Sequence, residues 1–140
     1  MKRPRRLLIH AAVIVGMLAG TFAVVSPASA SATDCHGPTE TSMVCLYLNG
    51  SSNHVNYTAT YVSAYPGRDL CNRRAWNSGM NLNDTNYWSR TSSIQTGCVR
   101  GHGEVYLNYN SKVGHPSWFY AQYYTNGQWL AGQPKVLVRI

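Results

Sequence analysis

The sequence predicts an all-β domain, a sandwich or small barrel of short antiparallel strands stapled by disulfides. Three observations predict it. Short segments of alternating apolar and polar residues recur at roughly ten-residue spacing, with turn residues between them. Hydrophobic residues make up 44% of the chain and charged residues only 12%, which suits strands and turns better than a solvated helical bundle or coiled coil. Four cysteines occur in 140 residues. An even count in a small exported chain reads as two disulfides.

The first thirty residues are read as a leader rather than as part of the domain. Lys2, Arg3, Arg5 and Arg6 form a basic start, residues 7–25 are almost wholly apolar, and Ser26-Pro27-Ala28-Ser29-Ala30 ends in a small-residue cleavage pattern. That is a secretory signal peptide over 1–30. Beyond it we expect a polar N-terminal arm over 31–42 and one β domain over 43–140. No later apolar run is long enough to span a bilayer, so no membrane association is expected after cleavage. Four of the twelve basic residues and none of the five acids precede residue 31, which leaves eight cations against five acids, a net charge of +3. The remaining cations are scattered, and nucleic acid is not an expected partner.

The elements follow in order. Residues 31–42 read as a loose arm tied down by Cys35. Residues 43–48 form the first strand, with Val44, Leu46 and Leu48 on one face. Asn49-Gly50-Ser51-Ser52-Asn53 is a turn. Residues 55–63 are rich in β-branched and aromatic residues and form a second strand, broken at Tyr65-Pro66-Gly67. Residues 69–76 could form a short helical turn, and 77–86, rich in Asn, read as a loop. Strands return at 92–99, centred on Ile94, at 104–109, and at 117–125. Asn126-Gly127 is the strongest hairpin signal in the chain and leads into Gln128-Trp129-Leu130. A last strand covers 134–140. Leu46-Tyr47-Leu48-Asn49 recurs as Val105-Tyr106-Leu107-Asn108. If this is a true repeat, it predicts two similar β units packed face to face.

For the cysteines, Cys35, Cys45, Cys71 and Cys98, the spacing holds no C-x-x-C clip, which argues for disulfides over zinc. Three pairings are open. Cys35–Cys45 with Cys71–Cys98 is favoured because each bridge closes a short loop.

No His-Glu-x-x-His, Gly-x-Ser-x-Gly or Gly-rich phosphate loop is present, so no catalytic residues, metal or cofactor are expected. Two other signals point to binding. Aromatics are dense around Trp118, Tyr120 and Tyr124. Rings left outside the core there would make a stacking platform for the sugars of a cell-wall or chitin-like polysaccharide. Cys98-Val99-Arg100, flanked by Gly97 and Gly101, could form a rigid, disulfide-anchored loop that fills the cleft of an extracellular protease. Val99 would then face the protease and tolerate a polar replacement without loss of the fold.

Cys35, Val44-Cys45-Leu46-Tyr47, Ser92-Ser93-Ile94 followed by Cys98, and Val105-Tyr106-Leu107-Asn108-Tyr109-Asn110-Ser111 together resemble the peptidase inhibitor family I36, small exported actinobacterial proteins. The resemblance spans about Cys35 to Ser111. It implies a βγ-crystallin-like Greek-key sandwich of two motifs and inhibition of a peptidase; the apolar Val99 just after Cys98 favours a metalloprotease as the target. The calcium form of the crystallin motif wants Asn or Asp where this chain has Trp88 and Ser89, so it implies no metal site here.

Overall fold

The computed structural model describes residues 31–38, 43–63, 67–82 and 87–139, and among these it shows ten strands and no helix. They are β1 (Ala32–His36), β2 (Met43–Ser51), β3 (His54–Ser63), β4 (Asp69–Asn81), β5 (Tyr87–Thr91), β6 (Gln95–Arg100), β7 (Gly103–Lys112), β8 (Ser117–Thr125), β9 (Gln128–Trp129) and β10 (Lys135–Val138). One sheet runs β1-β2-β3-β7. The other runs β10-β8-β4-β5, with β6 also paired to β4 and β9 to β8. All the pairings are antiparallel. The signal peptide expected over 1–30 lies outside the described residues, as do Tyr65 and Pro66 of the expected break.

Period-two alternation builds the core. Along β8, Ser117, Phe119, Ala121, Tyr123 and Thr125 are buried while the residues between them are half-exposed. Along β2, Val44, Leu46 and Leu48 are buried. The two sheets meet through these rows. Leu46, Leu48 and Val55 pack against Phe119, Ala121, Val136 and Val138. Val44, Val62, Val105 and Leu107 pack against Leu70, Ala75 and Tyr123. This is a face-to-face sandwich. Burial pushes the Tyr123 hydroxyl up to about 12, with the neighbouring Arg73 pulling the other way. Asn126 and Gly127 both have positive φ, 52° and 84°, as a two-residue type I′ turn between β8 and β9 demands. The Asn126 side chain then docks on β4, donating to the Asp69 carbonyl at 2.8 Å and accepting from the Cys71 amide at 3.0 Å.

Five sequence expectations need correction. The arm is not loose where it is described: β1 pairs with β2, and the Asp34 carboxylate accepts from the Lys135 amide at 2.8 Å. Residues 69–76 are not a helical turn, nor are 77–81 a loop. Together they form β4, which lies between β8 and β5. Its inward row is Ala75, Asn77 and Gly79, small or polar, which hides a strand from a hydrophobic pattern. Asn77 is nonetheless satisfied inside the sandwich. It accepts from Thr58 and donates to Thr60 at 3.2 Å, as buried polar groups must. Ile94 is not a strand centre but sits 50% exposed between β5 and β6. The two copies of the repeat do not sit in opposed units either, because β2 and β7 flank β3 in the same sheet.

Cys35 is bonded to Cys45 and Cys71 to Cys98, each pair directly opposite across two strands. Two disulfides suit an oxidising compartment. Among the described residues no helix is long and apolar enough to cross a membrane.

Candidate functional site

Cys98-Val99-Arg100 lies within strand β6 rather than in a protruding loop. Arg100 pairs with Asp69, Val99 with Leu70 and Cys98 with Cys71. Residues opposite each other in an antiparallel pair share a face, so Val99 follows Leu70 inward. It is half-buried against the cluster of Leu70, Val105 and Tyr123. Cys98 and Arg100 point the other way and are exposed. The glycines at either end, Gly97 and Gly101, have φ of 90° and 79°, which only glycine adopts freely. The segment is therefore extended and stapled, but its apolar side chain belongs to the core.

Trp118, Tyr120 and Tyr124 do come together. They form the outward row of β8, each half-buried, with Gln122 between them. Cations already lie over two of these rings, Trp118 and Tyr124. Lys135 Nζ sits 5.1 Å from the Trp118 ring. The Arg74 guanidinium sits 4.6 Å from Tyr124 and 5.1 Å from Trp129, and Tyr124 meets Trp129 edge-on at 5.3 Å. A ring covered by a cation offers less of its face to a neutral sugar.

The outer face of the other sheet carries a second aromatic group that composition did not single out. Tyr47 and Tyr106 both lie opposite Ala59, and Asn49 and Asn108 both lie opposite Tyr57. The repeat produces this arrangement. Leu46 and Leu48 on β2, and Val105 and Leu107 on β7, face the core. The Tyr and Asn between them must then face outward at matching heights on either side of β3. Tyr57 bridges the two copies, 6.1 Å from Tyr47 and 5.7 Å from Tyr106. The amides are ordered: Asn49 donates to the Tyr47 hydroxyl at 3.1 Å and accepts from Asn56 at 2.8 Å. Tyr106 is 50% exposed. The sequence signal for this face was the repeat itself, which shows its meaning only once β2 and β7 are known to flank one strand.

Glu104 steadies one end of this ladder. Its carboxylate accepts from the Tyr106 hydroxyl and pairs with His102 at 2.9 Å, and the His102 ring packs 5.4 Å from Tyr61. The hydrogen bonds from Tyr106 and then His102 hold the Glu104 carboxyl below its ordinary value, and the same bond raises the Tyr106 hydroxyl. The carboxylate holds Tyr106 at pH values above that lowered pKa, and the grip is lost as pH falls through it.

No family model, no curated protein and no solved structure matches this chain.

Proposed function

We propose that the chain is an exported binder of uncharged cell-wall polysaccharide, engaging sugar rings through Tyr47, Tyr57 and Tyr106. One observation carries this reading: the half-exposed tyrosine ladder with ordered Asn amides beside it. Sugar rings present apolar C–H faces that stack on aromatic rings, and amides supply both donors and acceptors for hydroxyls. A leader over 1–30 would deliver it, and a two-motif Greek-key arrangement of the βγ-crystallin kind would frame the face. The protein should be retained on chitin or peptidoglycan. Tyr106→Ala should weaken that retention about tenfold, the loss of one central contact residue, and the exposed position should leave the melting temperature unchanged. Trp118→Ala should retain binding. Loss with Trp118→Ala and not with Tyr106→Ala would move the site to the β8 row, and no retention of the parent protein would retire the reading.

A second reading has its own support. β6 is extended, stapled by Cys71–Cys98, and pairs with no described strand except β4. Together with the resemblance to inhibitor family I36, that favours a strand edge offered to a protease cleft. Contact would then come from the backbone and Arg100 rather than from Val99. A panel of metallo-, serine and cysteine proteases tests it. Arg100→Ala should abolish inhibition of a trypsin-like target. Val99→Asp should now lower the melting temperature, because it would put a charge against the core. A Val99→Asp protein as stable as the parent would contradict this placement of the side chain.

A further inference from the structure

We propose that a cavity at one end of the sandwich binds a small aromatic anion, independently of either outer face. The cavity has a volume of about 450 Å³ and lies where the ends of β4 and β7 meet β5 and the start of β8. That is within the range of small-molecule sites, roughly 300–1,000 Å³. Its wall is aromatic. Trp88, Tyr109 and Phe119 form a closed triangle of edge-to-face contacts at 5.5, 5.0 and 5.8 Å. Mutual edge-to-face contacts hold the three rings in place, and together they give the cavity an aromatic wall on which an entering ring can pack.

The cavity is also charged in one sense. Arg90 and Lys112 line it, and no Asp or Glu does so among the described residues. A concave site lined by one sign of charge beside apolar walls focuses its field on a ligand of the opposite sign. Arg90 is set in place before any ligand arrives. Its Nη1 donates to the Asn108 carbonyl at 2.6 Å, and its guanidinium lies 5.4 Å from the Tyr109 ring. A guanidinium has five N–H donors, so this anchor leaves others for an anionic group. A ring against Trp88 and Tyr109, with its carboxylate, sulfonate or phosphate at Arg90 and Lys112, satisfies both halves of the site. Polymer binding on the outer faces needs none of these residues.

Anilinonaphthalene sulfonate is a suitable probe, with N-phenylnaphthylamine as the same ring system lacking the anion and sodium sulfate as the anion lacking the ring. Titration of the oxidised, folded protein, followed by energy transfer from tryptophan, should show one equivalent of the sulfonate bound. N-phenylnaphthylamine should bind about tenfold more weakly, the worth of one charge-assisted contact. Sulfate alone at millimolar concentration should not displace the bound sulfonate. Arg90→Gln and Lys112→Gln should each weaken the sulfonate and leave the neutral probe unaffected, whereas Tyr106→Ala and Trp118→Ala should change neither. If Arg90→Gln fails to fold, the exposed Lys112→Gln decides the matter. Equal affinity for the charged and neutral probes, indifference to Lys112→Gln, or loss on Tyr106→Ala or Trp118→Ala would overturn the proposal.

Discussion

Replacing Gly79 by alanine is expected to destabilise the protein by about 3 kcal/mol, the upper range for overpacking a core. Gly79 lies on β4 directly opposite Trp88 on β5, and the indole folds back over its own cross-strand partner. A Cβ at position 79 would overlap the Trp88 ring. The ring is not free to swing away, because Tyr109 and Phe119 pack edge-on against it at 5.5 and 5.0 Å. Space is the whole of the argument, since Gly79 is not among the glycines with positive φ. Thermal melts should show a fall on the order of 10 °C for a domain of this size. A double-mutant cycle identifies the cause. Added to Trp88→Ala, the alanine at 79 should cost almost nothing, a coupling of about 3 kcal/mol. Additive effects would mean that the clash is not what makes glycine necessary.

Removing the Cys71–Cys98 bridge, as Cys71→Ala with Cys98→Ala, is expected to cost about 3.5 kcal/mol. The bridge spans 27 residues, and closing a loop of that length restricts the denatured chain by about that much in the loop-entropy description. The loss should be local in the folded state as well. β6 pairs with β4 and with no other described strand, and its burial rests mainly on Gln95 and Val99. Urea titration gives the free energy. Amide exchange should show the β6 amides losing protection while those of β2 and β3 keep theirs. A cost below about 1 kcal/mol, or exchange rising evenly across both sheets, would show that the bridge does not organise this strand.

The legible parts of the fold were those where burial alternates strictly. Ser117–Thr125 was readable to the residue because each inward position along it is buried and each outward one polar or aromatic. β4 was not, because its inward row trades apolar bulk for specific partners. Asn77 is there for Thr58 and Thr60, and Gly79 makes room for Trp88. A pattern of hydrophobicity cannot register a residue chosen to bond to, or to make space for, one on another strand. β1 was missed for a related reason. Its residues are mostly exposed, and it is held by backbone pairing to β2 and by the Cys35–Cys45 bridge. The candidate sites show the same division. The outward row Trp118, Tyr120 and Tyr124 could be named from one segment, whereas the ladder joins residues of three strands, and the cavity joins residues of four strands and a turn.

The amino-acid sequence is enough to establish the all-β class, the number of cysteines available for bridging, and the two-residue turn at Asn126-Gly127. Each of these depends on composition or on residues a few positions apart. Only the tertiary structure shows which face of β6 Val99 occupies, that Tyr47 and Tyr106 stand at one height beside Ala59, and that Arg90 and Lys112 line one cavity with an aromatic wall. Side-chain alternation is a local property with a period of two. It says which residues share a face but not which strand lies beside it. Strand order and register are set by contacts between segments far apart in the chain, and those contacts assemble both the tyrosine ladder and the cavity.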